Sequence, residues 1–312
     1  MCCTSFYNRA NYLLEKFKKV LKNDEVSLDD SFFDLGGDSF DAIRLLHELN
    51  LDIKVIDIFK NPSVDSLFEV IEKGDIDHNV LIRLNSDEVA TKEIAIVVIP
   101  YGGGDVSVYK KFSDLITSIP VYGVDTNKIG TTTDEVFKEA VEELADQIIS
   151  MGFQEVILYG HCAGSALALY LEKVLNSKIE VKLFLAASVP ISYPYNAMLE
   201  FQKTTDGEWE DYLHEIGGLK GLNSNEISRM LKKGRHDHII SILSFSCILR
   251  DRNKSKATLV FGTCDPVTSN LEKIVEEWEK YISISNVVQI PNAGHYFIND
   301  YADIVANTIK LN

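Results

Sequence analysis

The stretch VILYGHCAGSALAL, residues 156–169, decides the fold of most of this chain. Four apolar residues of strand length lead into Gly160-His161-Cys162-Ala163-Gly164, and small and apolar residues typical of a helix follow. A turn of this kind needs small residues two positions either side of its centre, because the strand and helix backbones come close together. The sequence predicts a nucleophile elbow with Cys162 at its tip. The alternative is a buried structural cysteine, the commonest state of a free cysteine.

Strand-length apolar runs and helical stretches alternate around this turn, which predicts an α/β domain with a mostly parallel sheet covered on both faces. One segment, about 192–251, is helical and amphipathic throughout, and it is too long for a simple crossover, so we expect a helical lid there. The predicted strands are Val80–Leu84 at an edge, Ile94–Ile99, Val121–Val124, Val156–Tyr159, Leu183–Ala187, Thr258–Phe261 and Val287–Ile290. The main predicted helices are Phe137–Ser150, Ala166–Leu175 and Leu271–Tyr281, and Asn223 with Glu226 predicts a capping box that opens a lid helix.

The first 75 residues have a different pattern, that of a small four-helix domain. Asp34-Leu35-Gly36-Gly37-Asp38-Ser39 precedes a segment with apolar residues at helical spacing. The two glycines permit a tight turn, which presents Ser39 at the start of the helix. We therefore expect domains at 1–75 and 76–312, joined by a short linker. The alternative for Ser39 is an ordinary helix N-cap.

A nucleophile at an elbow needs a base and an orienting acid. His295 follows the last predicted strand, and Asp265 follows the strand before it, so nucleophile, acid and histidine occur in a chain order that resembles that of the α/β-hydrolases. Asp300 and Asp251 are the alternative acids, and His161 is expected to be structural. The predicted oxyanion hole joins the N–H of Ala163 to an N–H of the turn at Tyr101-Gly102-Gly103, within the Gly102-Gly103-Gly104 run. That run is not a phosphate loop, since no Lys-Ser/Thr follows it.

Composition limits the partners. The formal net charge of -16 disfavours binding to nucleic acid or to an anionic membrane. No apolar run approaches the length that spans a bilayer, and the first twenty residues lack a signal-peptide core, so we expect a cytoplasmic protein and a monomer. Five cysteines without zinc-like spacing predict reduced thiols and no metal site. Cys264, beside Asp265, is expected in the core.

The segment Asp30 to Ser39, with Phe59-Lys60-Asn61-Pro62-Ser63-Val64 after it, resembles the carrier domains of nonribosomal peptide synthetases over residues of about 8–73. The resemblance implies that Ser39 receives 4'-phosphopantetheine from a phosphopantetheinyl transferase. It also implies upstream condensation and adenylation domains as partners. Met1 just before the first carrier helix is compatible with a piece of a longer synthetase.

From Val80 onward the chain resembles the thioesterases of peptide and polyketide synthesis, which have the α/β-hydrolase fold and accept a peptidyl or acyl substrate. Pro100 to Gly104, the elbow, Asp265 and Gly294-His295 are the matching segments. Together the two resemblances identify a peptidyl carrier protein–thioesterase didomain in which a Cys-His-Asp triad takes the acyl group from the carrier arm. A serine replaced by cysteine would give the same pattern.

Several functions remain open at this point. The leading hypothesis is a terminal unit that releases its product by cyclisation or hydrolysis, with cysteine preserving a reactive thioester for a demanding ring closure. The alternatives are an editing, type II-like thioesterase that clears misprimed carrier, a non-catalytic docking module with a degenerate hydrolase, and an enzyme like the dienelactone hydrolases, which needs no carrier serine. We expect Trp209, Tyr212, Leu213 and Met230 of the lid to line the acyl cavity, although ordinary packing explains them equally well.

Overall fold

The computed structural model describes residues 2–49, 55–73, 80–86, 93–249 and 254–311. The chain divides into two compact units, Met1–Asn79 and Val80–Asn312. The predicted linker at 74–79, and with it the expected boundary after residue 75, lies outside the described residues, as do Asp251 and the side chain of Ser39.

The first unit is helical, as its periodicity predicts. Phe17 and Phe32 are fully buried and meet edge to face with ring centroids 5.2 Å apart. Ser63 caps the last helix, since its Oγ accepts from the N–H of Ser66 at 3.2 Å. The helices are α1 (Cys2–Leu21), α2 (Ser39–Leu49), α3 (Val55–Lys60) and α4 (Val64–Lys73).

The second unit is built on one sheet in the order β1-β3-β2-β4-β5-β6-β7. All neighbouring pairs are parallel except β1 with β3; β1 is the edge strand that the sequence predicts, and it is antiparallel. The strands are β1 (Leu81–Arg83), β2 (Ile94–Ile99), β3 (Val121–Val124), β4 (Glu155–His161), β5 (Glu180–Ala186), β6 (Ser255–Gly262) and β7 (Ile282–Ile290).

Both faces of this sheet are covered, which explains why β2 is apolar at every position and β4 is apolar from Val156 to Tyr159. On one face Val97 and Leu158, which are paired across β2 and β4, belong to a core shared with Trp278. On the other face Tyr159 stacks on Phe112 with ring centroids 6.4 Å apart. The helices outside the insertion are α5 (Lys110–Asp114), α6 (Asp134–Ser150), α7 (Ala163–Leu175), α11 (Leu271–Trp278) and α12 (Ala302–Leu311).

Between β5 and β6 the chain forms a helical insertion of α8 (Pro194–Lys203), α9 (Asp206–Glu215) and α10 (Ser224–Ile248). The predicted capping box is confirmed: Asn223 Oδ1 accepts from the N–H of Glu226 at 3.2 Å, and Glu226 Oε2 accepts from the N–H of Asn223 at 2.6 Å. Thr205 and Glu208 form a second box at the start of α9. These caps fix where the insertion helices begin.

Within the described ranges, no helix has both the length and the apolar composition that crossing a bilayer requires.

Candidate active site

Cys162 lies between the last residue of β4 and the first of α7, at the predicted elbow. Its φ of 50° is in the left-handed region, which costs a non-glycine residue on the order of 1–3 kcal/mol. A Cβ on Gly164 would lie 2.5 Å from the carbonyl oxygen of Ile99, and one on Gly160 would overlap the backbone of Gly164. The two glycines are therefore needed for the close approach of strand and helix, and the strained turn leaves the Cys162 side chain half-buried rather than enclosed.

His295 and Asp265 meet beyond the ends of β7 and β6, although thirty residues separate them in sequence. Nδ1 of His295 lies 3.0 Å from both carboxylate oxygens of Asp265. The N–H of Val267 and the hydroxyl of Thr268 each donate to that carboxylate at 2.9 Å. The acid is thus held by its own loop, and it orients the ring so that Nδ1 donates and Nε2 is left to act on another group.

The electrostatics of this pair include Cys162. Burial disfavours the imidazolium, but the negative charge of Cys162 and a hydrogen bond to Asp265 outweigh burial and raise the pKa of His295 to about 10. Burial also acts to raise the pKa of Asp265, yet the hydrogen bond and charge of His295 hold it below its ordinary value. Nε2 of His295 is buried and has no nitrogen or oxygen partner among the described residues. His295 thus bonds to Asp265 through Nδ1 and interacts with Cys162 on its other side.

The alternative acids do not take this position. Asp300 is exposed on the segment after His295, and both hydrogen bonds at Nδ1 go to Asp265. The prediction that Cys264 lies in the core is wrong, since this side chain is exposed. The reason is local: on the tight turn after β6 the Asp265 side chain points inward to His295, so its neighbour points outward.

His161 is structural, as expected from its place on the turn. Its Nε2 lies 2.8 Å from the carbonyl oxygen of His295, and its Nδ1 lies 3.3 Å from the hydroxyl of Tyr159. A carbonyl can only accept, so Nε2 carries the proton and Nδ1 accepts from Tyr159. Burial lowers the pKa of His161 to about 3, so this ring stays neutral while it anchors the backbone of His295.

The predicted oxyanion turn lies beside the elbow. A Cβ on Gly102 would lie 3.5 Å from the Cβ of Ala163, so the two backbones adjoin. The N–H of Ala163 is at the first position of α7, where no partner exists inside a helix. The N–H of Gly103, by contrast, donates to Asp237 of α10 at 2.8 Å. Within the turn, the N–H groups of Tyr101 and Gly102 are therefore the candidates that can form the oxyanion hole together with the N–H of Ala163.

The insertion residues that were expected to line an acyl cavity differ in their burial. Trp209, Leu213 and Met230 are buried, whereas Tyr212 is 39% exposed. Burial, with the negative charges of Cys162 and Asp265, raises the pKa of Tyr212. The Tyr212 ring itself stacks on that of Trp209, with ring centroids 5.4 Å apart.

Sequence reasoning missed two residues here, Asp237 and Tyr296. The Tyr296 ring lies 5.0 Å from the ring of His295 and 4.6 Å from that of Tyr101, between the triad and the insertion. Its position directly after His295 was the available signal. Asp237 had none, because a carboxylate inside an amphipathic helix normally indicates an exposed face.

In the first unit, Ser39 is the first residue of α2, and the helix is capped by its neighbour. Asp38 Oδ1 accepts from the N–H of Asp41 at 2.9 Å, which is the bond an N-cap side chain makes. Gly36 has φ +93°, a conformation that favours glycine. The capping role considered for Ser39 therefore belongs to Asp38.

Comparisons with known proteins agree with this division. Residues 11–71 match the family model described as a phosphopantetheine attachment site. A dimodular nonribosomal peptide synthase of Bacillus subtilis is 29% identical over 140 residues, covering 44% of this chain and 6% of that protein. The nonribosomal peptide synthetase imqB of Aspergillus flavus is 26% identical over 276 residues, covering 81% of this chain and 8% of imqB. The chain thus spans less than about a tenth of these relatives' length.

Solved thioesterase structures share the fold of the second unit. The type II thioesterase BorB from the borrelidin biosynthetic cluster superposes with a TM-score of 0.56 at 19% identity, covering 75% of this chain and 98% of BorB. The RedJ thioesterase of Streptomyces coelicolor superposes with a TM-score of 0.54 at 18% identity, covering 72% of this chain and 92% of RedJ. The chain therefore joins a segment that matches a phosphopantetheine attachment site to a second unit that shares the α/β fold of these thioesterase structures.

Proposed function

We propose that the second unit is a thioesterase and acyltransferase that takes a peptidyl or acyl group from the carrier arm onto Cys162 and then releases it, as the terminal unit of a nonribosomal peptide synthetase. The observation that supports this most is the Cys162–His295–Asp265 arrangement in the same chain as a phosphopantetheine attachment domain. We assign the carrier to 1–75 and the thioesterase to 76–312. A phosphopantetheinyl transferase and upstream condensation and adenylation domains are the proposed partners.

Ser39 is the proposed attachment residue. It is the first residue of α2, two positions after the glycine turn, and Asp38 supplies the cap of that helix. The start of a helix also favours a phosphate group electrostatically. Phosphopantetheine, once attached, supplies a flexible thiol that holds the acyl group as a thioester.

In the first proposed step, Nε2 of His295 takes the proton of Cys162, and Asp265 stabilises the imidazolium that forms. The sulfur attacks the carbonyl carbon of the substrate thioester, and the N–H groups of Ala163 and of Tyr101 or Gly102 stabilise the negative oxygen. The bond from carbon to the departing sulfur then breaks, and that sulfur receives the proton from His295. The acyl group is left on Cys162.

In the second step, an amine, a hydroxyl or water attacks the acyl carbon. His295 accepts the proton of the attacking group, and the sulfur of Cys162 departs and is reprotonated. Because exchange between two thioesters is nearly balanced in energy, a cysteine keeps the acyl group activated where a serine ester would not. We therefore propose that the release is demanding, with ring closure favoured over plain hydrolysis.

Editing of misprimed carrier is the second candidate, since the fold is shared with BorB, which is described as a type II thioesterase. Substrate range distinguishes the two roles. We would compare acetyl, hexanoyl and linear peptidyl groups loaded on the full chain. Similar release rates for all three favour editing, whereas strong preference for the peptidyl group favours terminal release.

Intact-protein mass spectrometry of the full chain tests the proposed function. Pantetheinylation and acyl loading should be followed by movement of the acyl mass to Cys162 and then by its loss. In Cys162→Ala the acyl group should stay on the carrier, with Cys247→Ala, a buried cysteine outside the site, as the matched control. Equal release by Cys162→Ala and the unaltered chain would contradict the proposal.

A further inference from the structure

The backbone of the turn Tyr101-Gly102-Gly103-Gly104 can adopt two conformations. The N–H of Gly104 donates to the carbonyl of Tyr101 at 2.9 Å, which closes a β-turn. Gly103, its third residue, has φ +84°, whereas Gly102 has no positive φ. This combination is a type II turn, and a type I turn differs from it by rotating the central peptide by about 180°. The Gly102–Gly103 peptide therefore has two accessible orientations, and two glycines offer little steric preference between them.

Asp237 of α10 holds that central peptide. Its Oδ2 accepts from the N–H of Gly103 at 2.8 Å, and its Oδ1 accepts from the hydroxyl of Thr126 at 2.6 Å. Lys233 Nζ lies 2.9 and 3.1 Å from the two oxygens. The carboxylate is buried, and a charge-assisted hydrogen bond is strongest where water is excluded. In the other orientation the carbonyl oxygen of Gly102 would face this carboxylate, so the charge selects one form.

The same helix contacts both halves of the predicted oxyanion hole. One turn beyond Asp237, the hydroxyl of Ser241 lies 3.0 Å from the carbonyl oxygen of Ala163 at the elbow. On the other side, a Cβ on Gly103 would lie 2.7 Å from Cγ of Met230. The turn therefore rests against α10 along residues 230–237, while residue 241 contacts the start of α7.

We propose that Asp237 is a positioning residue, which sets the orientation of the Gly102–Gly103 peptide and thereby the geometry of the oxyanion turn. This inference rests on the proposed acyl transfer at Cys162. It assigns α10 of the insertion a role in the reaction besides covering the site: Lys233 and Thr126 fix the carboxylate, the carboxylate fixes the turn, and the turn presents its remaining amides toward Ala163.

Two double variants of the full chain isolate the hydrogen bond from the charge. Asp237→Asn with Lys233→Met keeps an oxygen that can accept from Gly103, whereas Asp237→Leu with Lys233→Met keeps the volume and has no acceptor. Both variants remove the Asp237–Lys233 ion pair as a whole, and the loss of Lys233 near Asp105 is common to the two. We would measure cleavage of an acyl N-acetylcysteamine thioester, and separately the alkylation of Cys162 by iodoacetamide, which needs the thiolate but no oxyanion hole.

The double variant with Asp237→Leu should have a kcat for thioester cleavage at least about tenfold lower than the double variant with Asp237→Asn. The reason is that loss of one oxyanion donor typically lowers kcat by about 10²- to 10³-fold. The two double variants should have the same KM within about twofold and the same rate of Cys162 alkylation within about twofold, since the thiolate is unaffected. Equal kcat values, or a loss of kcat matched by an equal loss of alkylation, would overturn the proposal.

Amide hydrogen exchange of the unaltered chain adds a readout that needs neither variant nor activity. The N–H of Gly103 should be strongly protected and that of Gly102 weakly protected. Rapid exchange at Gly103 would refute the hydrogen bond to Asp237 even if the double variant with Asp237→Leu failed to fold. If the unaltered chain cleaves no thioester while Gly103 is protected, the proposed function fails and the fixed turn remains.

Discussion

Replacing Asp265 by Asn removes the charge behind His295 while keeping the size of the side chain. Asp265 contacts Nδ1 of His295 through both oxygens at 3.0 Å, and both side chains are inaccessible to solvent. The asparagine can still accept one hydrogen bond, so the fold of the loop should survive. The change therefore tests the charge of the acid rather than the presence of a side chain.

The magnitude follows from the separation of the charges. Two unit charges about 4 Å apart attract by about 4 kcal/mol at an effective dielectric constant of 20. This corresponds to at most about 3 pKa units, so the substitution should move the pKa of His295 down from about 10 toward its ordinary value. The equilibrium from thiol and imidazole to thiolate and imidazolium shifts by up to about 10³-fold in the same direction. We expect acyl transfer near neutral pH to fall by about 10²-fold or more.

The assay compares single-turnover acyl transfer and Cys162 alkylation in Asp265→Asn and in Asp300→Asn. Asp300 is the matched control, because it is the exposed carboxylate that sequence reasoning considered for the same role. Both rates should fall in Asp265→Asn and stay within about twofold of the unaltered chain in Asp300→Asn. A normal rate in Asp265→Asn, or a larger loss in Asp300→Asn, would refute the role assigned to Asp265.

Three other changes test separate parts of the structure. The folded pKa of His161, about 3, lies below its unfolded value, so its contribution to stability is present above about pH 6.5 and is lost as pH falls toward 3; near pH 4.5 the loss is about 3 kcal/mol, and denaturant unfolding should show a shallower pH dependence in His161→Gln. Gly164→Ala should abolish folding or activity of the second unit, because the new Cβ meets the carbonyl oxygen of Ile99, whereas circular dichroism of Gly207→Ala, where a Cβ meets nothing within 4 Å, should match the unaltered chain. Asp38→Ala should destabilise the first unit by about 1 kcal/mol through loss of the α2 cap, and unchanged amide exchange in that helix would argue against the cap.

The parts of the fold that depend on local pattern could be predicted from the sequence. The elbow, the edge strand and the capping box at Asn223 were all predicted where they occur, because each depends on residue types at short, fixed spacings. The order of nucleophile, acid and histidine also indicated which loops would adjoin, since loops that follow neighbouring parallel strands lie at the same edge of the sheet.

What could not be predicted depends on contacts between segments far apart in sequence. Asp237 and Gly103 are 134 residues apart, and nothing local marks either as the other's partner. Cys264 was expected in the core because cysteine usually is, but the inward turn of Asp265 leaves it exposed. The cap at Asp38 rather than Ser39 shows the same limit, since a one-residue shift of a helix start is not fixed by composition.

Peptide mapping of the acylated chain tests the central claim most directly. The full chain would be pantetheinylated, loaded with an isotopically labelled acyl group, quenched in acid within one turnover, and digested. The label should appear on the peptide that contains Cys162, should be removed by neutral hydroxylamine, and should be absent there in Ser39→Ala treated in the same way. Release of the acyl group with the label never present on the Cys162 peptide would contradict the account.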